Sequence, residues 1–417
     1  MKIPLKLVLY MHTLGGGGIQ RAFINLAEGF LRRGIHDLWL IVNRGQGPYL
    51  KCLPSGVKLI DLRDPVPFRL IQLLSYLKEP QVCSPLLRSV ARVNYFILKG
   101  IGYLRQRNLQ FLLHSSLLCL KLADHLRFIQ PDALLSVYIC NIPTLLLKRF
   151  GFVGEARVTI SEQDIVSAYL SNTLEGGVIL RLMSRLYPQA HNIVAVSQGV
   201  AEDLSTLIQL SPDRVTVIYN PVITPNLLEQ ALAPLTHPWF EREQPPVILG
   251  AGRLSLQKDF PTLLRAFALV RQHRPARLVI LGEGEERANL ERLAIELGIQ
   301  NDVSMPGFVD NPFAFMAKAS VFVLSSAWEG FGNVLVEALA CGCPVVATDC
   351  RSGPREILDN GRYGRLVPVG DHEALAKAIL ETLDNPDFPA DRQTRIQRAM
   401  EFSVDAAVDK YLKVLLD

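Results

Sequence analysis

The sequence predicts an α/β protein made of two doubly wound domains, each with a parallel sheet, that face a central cleft. A chain of 417 residues exceeds what one ordinary hydrophobic core supports. Short apolar runs alternate with segments of helical periodicity in both halves. A stretch rich in proline and polar residues at 226–246 separates the two alternating series and is the predicted linker.

The first half opens in the order strand, glycine loop, helix. We predict the strand at 6–11, the loop at 15–18 and the helix at 21–33, where apolar residues keep helical spacing. Short apolar strands between helices are typical of a parallel sheet covered on both faces, so 1–225 is the predicted first domain. Its further strands are predicted at 38–42, 133–137, 157–160, 193–196 and 215–218.

The segment 65–130 differs from its surroundings because it is helical in pattern and strongly basic. Nine Lys and Arg residues against Glu79 and Asp124 give it a charge of +7, larger than the +4 of the whole chain. Basic residues interleaved with apolar runs, such as those at 111–113 and 117–120, suit the surface of an anionic membrane. The other interpretation is that the apolar residues pack on the first domain and the charges are solvated.

The second half repeats the α/β pattern. We place the second domain at 247–385, followed by a helical segment at 386–417. Two Rossmann-like domains in tandem leave a cleft between the carboxyl ends of their sheets, where such folds bind ligands. Strands are predicted at 247–250, 277–281, 321–324 and 345–348, and helices at 261–273, 285–297, 333–341 and in the pattern from 374 to 416.

Cysteine usage and hydropathy indicate a cytoplasmic protein. The seven cysteines form no CxxC pair, so we expect buried, reduced thiols. The apolar run at 7–11 is too short for a signal peptide, and no stretch reaches the roughly 20 apolar residues of a membrane span.

Three segments contain candidate ligand-binding or catalytic residues. The glycine loop, which includes Gly16 and Gly17, would let backbone amides approach a phosphate, although a simple tight turn fits equally well. Arg253 and Lys258 follow a predicted strand, and two fixed cations there suit a departing diphosphate; a solvated surface pair is the alternative.

The third segment runs from Glu329 to Glu337. Glu329 lies in the loop after a predicted strand, and the helix that begins near Asn333 points its first amides into the cleft. Glu337 lies about one turn into that helix, within reach of ribose hydroxyls. An ordinary surface loop and helix would be preferred if this segment stood alone.

The segments together resemble family 4 of the retaining glycosyltransferases over nearly the whole second half. In the first half, 196–199 and 219–221 are also similar to the family. The matching pieces are Gly252-Arg253-Leu254 with Lys258-Asp259, Gly282-Glu283-Gly284, Gly307-Phe308, Glu329-Gly-Phe-Gly-Asn with Glu337-Ala-Leu-Ala, Gly342-x-Pro344-Val-Val-Ala-Thr, and Gly353-Pro354-Arg-Glu356-Ile.

The resemblance implies the GT-B fold, retention of anomeric configuration, and a nucleotide-diphosphate sugar, expected to be a UDP-sugar, as donor substrate with no separate cofactor. Arg253 and Lys258 would bind the diphosphate, and Glu329 would hold hydroxyls of the sugar; these three are the expected catalytic residues. The other expected contacts with the donor are Gly16, Gly17, Gly332, Asn333 and Val334 at the phosphates, Phe308 near the base and Glu337 at the ribose.

The sequence departs from the family at two positions. Gln20 stands where many relatives have Glu, and the segment 136–141 lacks a histidine that many relatives carry. In the family's mechanism the leaving phosphate can itself deprotonate the acceptor, so a missing base is tolerable. Tyr138, Glu162 and Asp164 are candidates to orient the acceptor, with a structural role as the alternative. The sequence contains no Asp-x-Asp motif, and we expect no metal requirement.

The expected acceptor is a lipid-linked molecule or a glycan in envelope or exported polysaccharide synthesis, reached from the inner face of the cytoplasmic membrane. No nucleic-acid partner is expected. Two alternatives stay open: a nucleotide-sugar epimerase of the same fold, and a non-catalytic scaffold that binds nucleotide sugars. A NAD-dependent dehydrogenase is disfavoured because the GxGxxG fingerprint is absent.

Overall fold

The computed structural model describes residues 5–63, 106–170, 176–241 and 243–416. Two parallel sheets, one of seven strands and one of six, organise this part of the chain. The strands of the first sheet are β1 (Lys6–Thr13), β2 (Asp37–Arg44), β3 (Lys58–Asp61), β4 (Ala133–Val137), β5 (Arg157–Glu162), β6 (Asn192–Ala195) and β7 (Val215–Val217). Its helices are α1 (Gly18–Arg32), α2 (Gln106–Ile129), α3 (Asn141–Arg149), α4 (Val166–Leu170), α5 (Gly176–Leu186) and α6 (Gln198–Ile208).

The second sheet and the remaining helices complete the α/β series. Its strands are β8 (Val247–Ala251), β9 (Arg277–Leu281), β10 (Val303–Gly307), β11 (Val321–Leu324), β12 (Val345–Thr348) and β13 (Arg365–Val367). The helices are α7 (Leu227–Ala231), α8 (Phe260–His273), α9 (Arg287–Glu296), α10 (Pro312–Lys318), α11 (Asn333–Ala340), α12 (Pro354–Ile357), α13 (His372–Asp384), α14 (Arg392–Met400) and α15 (Val404–Leu416).

Burial on both faces explains the apolar runs. Along β1, Leu7, Val8 and Leu9 are all fully buried, and successive side chains enter different hydrophobic clusters on opposite faces of the sheet. The last helix, α15, returns to the first sheet, where Val408 and Tyr411 share a cluster with the apolar face of α1. The chain therefore crosses between the two sheets a second time.

Strand order fixes where the cleft lies. The orders are β3-β2-β1-β4-β5-β6-β7 and β10-β9-β8-β11-β12-β13, with all pairs parallel. The direction of winding reverses between β1 and β4 and between β8 and β11. Ligands of such sheets bind outside the carboxyl ends of the strands at these reversal points.

The structure confirms the predicted fold class, and the strands predicted at 133–137, 277–281, 321–324 and 345–348 have the predicted bounds. Strands β3, β10 and β13 were not predicted. The predicted linker contains α7, and the helical pattern predicted from 374 to 416 comprises three helices, α13, α14 and α15.

The basic segment lies partly outside the described residues, which resume at Gln106. In α2, Leu122, Leu126 and Ile129 are buried in the core of the first domain. This end of the segment therefore packs on the fold, as the second interpretation predicted. Of the helices that the structure describes, none is long and apolar enough to span a bilayer.

Candidate functional site

Two helices begin at the cleft with their amino ends facing each other. Gly17 precedes α1 and Gly332 precedes α11, and glycine has no side chain to cap the first amides. Gly332 has φ +97°, a conformation that favours glycine. The side chain of Asn333 donates to the carbonyl oxygen of Gly18 at 3.0 Å, which links the two helix starts directly. Their free amides form a site suited to phosphate groups.

Lys258 and Glu329 form a buried ion pair at the carboxyl ends of β8 and β11. Lys258 Nζ lies 2.5 Å from Glu329 Oε1, and the two side chains are 16% and 6% exposed. The hydroxyl of Ser326 donates to the same oxygen at 2.7 Å. Arg253 is exposed and makes no hydrogen bond or ion pair with any residue that the structure describes. The loop thus presents one fixed cation and one free cation.

Close approach of the two domains places the Glu329 loop against the end of β5. A Cβ atom at Gly330 would lie 2.0 Å from the carbonyl oxygen of Gln163, so only glycine fits there. Ser197 and Ser352, one from each domain, both donate to the carbonyl oxygen of Gly330, at 2.7 and 2.8 Å. The predicted motif around Ser197 is therefore an inter-domain contact.

Glu337 lies at the expected place, one turn into α11, and is already paired. Its Oε1 accepts from Arg21 Nη1 at 2.8 Å, and Arg21 belongs to the first domain. Glu337 is buried, and its Oε2 has no hydrogen-bond partner within the described part of the chain. The neighbouring carboxylate of Glu337 is the main cause that raises the pKa of Arg21, despite burial.

Phe308 and the glycine loop form one side of the cleft. The ring of Phe308 is half-exposed, and its Cε2 atom lies 3.5 Å from the position of a Cβ built at Gly16. Val334 is the second residue of α11 and is partly buried. The structure therefore brings the predicted nucleotide contacts of both domains together around one space.

The residues predicted to orient the acceptor, Tyr138, Glu162 and Asp164, lie at the carboxyl ends of β4 and β5. Burial raises the pKa of Glu162 to about 7 and that of Asp164 to about 6, and the carboxylate of Glu329 adds to the effect on Asp164. Tyr187 donates to Glu162 Oε2 at 2.9 Å. Burial is also the main cause that raises the pKa of Tyr138 to about 12, with Asp164 the next contributor. These groups are protonated more readily than exposed ones, which suits hydrogen bonding to hydroxyls.

A further inter-domain contact, made by Glu356, was not predicted. Both carboxylate oxygens of Glu356 accept backbone amides at the start of α6, from Gln198 at 2.8 Å and from Gly199 at 3.1 Å. Arg21, Ser326 and this contact were missed by the sequence analysis. Arg21 carried a signal only through its place at the start of the predicted helix, three residues after the glycine loop. No group of three His, Cys, Asp or Glu side chains placed to hold a metal occurs in the described ranges.

Several known proteins are similar to this chain. A transferase of Campylobacter jejuni, N-acetylgalactosamine-N,N'-diacetylbacillosaminyl-diphospho-undecaprenol 4-alpha-N-acetylgalactosaminyltransferase, is 35% identical over 246 residues, which are 59% of this chain and 65% of that protein. The lipopolysaccharide core biosynthesis glycosyltransferase LpsE of Rhizobium meliloti is 34% identical over 54% of this chain and 63% of its own length. The matches thus span less than two thirds of these relatives.

Structural and family comparisons extend over more of the chain. The crystal structure of HepE from Anabaena, in complex with UDP and glucose, has a TM-score of 0.72 at 19% identity and covers 99% of this chain and 100% of its own. That likeness shows the GT-B fold. The model of Glycosyl transferases group 1 matches residues 236–400, and the model of Glycosyltransferase Family 4 matches residues 16–224. The chain belongs to glycosyltransferase family 4.

Proposed function

We propose that this protein is a retaining glycosyltransferase that moves a sugar from a UDP-sugar to a lipid-linked or glycan acceptor in the synthesis of an envelope or exported polysaccharide. Membership of the family supports the reaction class. The relatives named for a diphospho-undecaprenol-linked substrate and for lipopolysaccharide core synthesis support the acceptor class. The Anabaena structure with UDP supports the choice of base.

One observation carries the proposal: groups suited to a nucleotide-diphosphate sugar converge on one cleft from both domains. The free amides at the starts of α1 and α11 would hold the phosphates. Arg253 and Lys258 would stabilise the charge that develops on the diphosphate as its bond to the sugar breaks. Glu329, held by Lys258 and Ser326, would accept hydrogen bonds from sugar hydroxyls.

The acceptor would be activated without a protein base. In the proposed reaction, the acceptor hydroxyl attacks the anomeric carbon from the face that the diphosphate leaves, and the departing phosphate oxygen takes its proton. Tyr138, Glu162 and Asp164 would orient that hydroxyl from the first domain. Because Asp164 approaches the Glu329 loop, an acceptor bound by Asp164 would lie close to the donor sugar.

We also propose that the enzyme needs no metal, since Arg253 and Lys258 supply the positive charge that a divalent ion would contribute. The experiment incubates the protein with a panel of UDP-sugars and a lipid extract and identifies products by mass spectrometry, with and without EDTA. We expect a glycosylated lipid or glycan in both conditions. Isomerised donor without transfer would instead indicate an epimerase. Activity abolished by EDTA and restored only by Mg²⁺ or Mn²⁺ would contradict the metal-free mechanism.

The proposed location is the cytoplasmic face of an anionic membrane. The +7 charge of the segment 65–130 supports it. Flotation with anionic vesicles should show binding at low salt and weaker binding at high salt, because salt screens the attraction. Equal absence of binding to neutral and anionic vesicles would contradict the location and leave the reaction untouched.

A further inference from the structure

Arg21 occupies an unusual place for a cation. It lies in the first turn of α1, where the helix dipole disfavours positive charge, and its side chain is only 25% exposed. Its partners must therefore hold it there. Arg21 Nε donates to the hydroxyl of Tyr49 at 2.9 Å, and the guanidinium lies 5.5 Å from the ring centroid of Phe313. Together with Glu337, these contacts fix the planar group in one orientation.

The contacts of Arg21 join the two domains. Tyr49 belongs to the first domain, whereas Phe313 and Glu337 belong to the second. The guanidinium thus orients the carboxylate of Glu337 from across the cleft. A carboxylate at the end of a flexible side chain has several rotamers, and a hydrogen bond of 2.8 Å to one oxygen selects among them.

The second carboxylate oxygen of Glu337, Oε2, points to a contact with a bound ligand. Oε2 is buried and has no partner among the residues described by the structure, although the side chain is only 3% exposed. A buried, unpaired carboxylate oxygen is costly to a fold, and the large majority of such atoms have a hydrogen-bond partner. A donor from a bound ligand would complete it, and a sugar hydroxyl is such a donor.

We propose that Arg21 is a positioning residue for the nucleotide: it holds Oε1 of Glu337 so that Oε2 accepts a hydroxyl of the ribose. The inference rests on the proposed function, which supplies a nucleotide to this cleft. It also means that recognition of the ribose depends on a residue of the first domain. The ribose site is then complete only where the two domains meet.

Calorimetry with UDP, 2′-deoxy-UDP and 3′-deoxy-UDP tests the inference. The wild-type protein should bind UDP about tenfold to a hundredfold more tightly than the weaker deoxy analogue, the range expected for one hydrogen bond to a charged group. Arg21→Met should bind UDP more weakly than the wild-type protein does. The ratio of its affinities for UDP and for the weaker deoxy analogue should fall to within about threefold. Arg21→Lys should keep an intermediate ratio, because an ammonium can contact Oε1 but lacks the planar fork of a guanidinium.

Two further variants separate positioning from a purely structural role. Arg32→Met is the matched control, since Arg32 lies on the same helix and pairs with Asp405 at 3.4 Å; its ratio should equal the wild-type ratio. Glu337→Gln should bind UDP and the weaker deoxy analogue with similar affinity. Adding Arg21→Met to Glu337→Gln should weaken UDP binding no further, because the two residues act as a unit. Thermal unfolding checks that each variant is folded, and Arg21→Lys carries the test if Arg21→Met does not fold.

The outcomes are distinct. An unchanged ratio in Arg21→Met, with UDP still bound, would overturn the inference alone. Tighter UDP binding by Arg21→Met would also overturn it, since Arg21 would then compete with the ribose for Glu337. Absence of UDP binding by the wild-type protein would overturn the proposed donor and the inference with it.

Discussion

On the second-domain side of the cleft, Lys258 and Glu329 form a buried ion pair, and Arg253 in the same loop as Lys258 is exposed. On the first-domain side, Glu162 and Asp164 lie close together, and burial raises their pKa values to about 7 and about 6. We call the first set the donor wall and the second, with Tyr138, the acceptor wall. In the proposed reaction, the donor wall would stabilise the negative charge that develops on the diphosphate. The acceptor wall, whose carboxyl groups take up protons more readily than exposed ones, would hydrogen-bond to neutral hydroxyls.

The largest effect is expected at the donor wall. Lys258→Ala and Glu329→Ala should each lower kcat by about 10²–10³, because each removes a fixed charge from a closed site. Both variants should also unfold at a lower temperature, since the remaining member of the buried pair loses its partner. Steady-state kinetics on protein verified as folded by circular dichroism measures the effect.

The control for these variants is Arg274→Ala. Arg274 pairs with Asp384 at 2.9 Å in the same domain, but both side chains are exposed. Its kcat should stay close to the wild-type value. Near-normal turnover in both Lys258→Ala and Glu329→Ala would contradict the proposal that the donor wall stabilises charge during the reaction.

At the acceptor wall, Asp164→Asn should raise the KM for the acceptor about tenfold and leave the KM for the donor nearly unchanged. The amide keeps the shape of the carboxyl group but changes the hydrogen bonds that it can offer to an acceptor hydroxyl. Asp132→Asn is the control, because Asp132 immediately precedes the first residue of β4, at the end of the strand that lies away from the acceptor wall. An equal rise in both KM values would assign Asp164 to the donor or to the fold.

The prediction at Glu162 concerns stability and its dependence on pH, and not turnover. The pKa of Glu162 is raised to about 7, so the folded protein holds a proton that the unfolded chain loses near pH 4. Stability therefore falls as pH rises between these values. Glu162→Gln cannot ionise, and its free energy of unfolding should exceed the wild-type value more at pH 8 than at pH 5, by on the order of 2 kcal/mol.

Denaturant unfolding at the two pH values measures this difference. Gln can still accept the hydrogen bond from Tyr187, so the packing around the strand end is kept. The exposed Glu155 supplies the control, because Glu155→Gln leaves a group that remains in water. A difference between Glu162→Gln and wild type that is independent of pH would contradict a buried, readily protonated carboxyl group.

Neighbouring residues and inter-domain contacts differed in how well the sequence predicted them. Glu329 lies in the loop after a predicted strand and Glu337 in the helix that follows, so the local sequence placed both at the same edge of the sheet. By contrast, Arg21 and Glu337 are 316 positions apart, and no local pattern connects them. The contacts of Glu356 with α6 likewise join segments of different domains.

The strands that the sequence missed share a physical cause. β3, β10 and β13 lie at or beside sheet edges, and most of their residues are partly or fully exposed. They therefore lack the continuous apolar run that made β1, β9 and β12 predictable. The fold class could be predicted from the apolar runs of the buried strands. The edge strands and the inter-domain contacts could not be predicted, because they depend on tertiary packing.

The stereochemistry of the product tests retaining transfer at this cleft most directly. The measurement is proton NMR of the product formed from an α-linked UDP-sugar, read at the coupling constant of the anomeric proton. Since the proposed attack occurs on the face that the diphosphate leaves, we expect an α-glycoside. A β-glycoside from the same donor would contradict the mechanism.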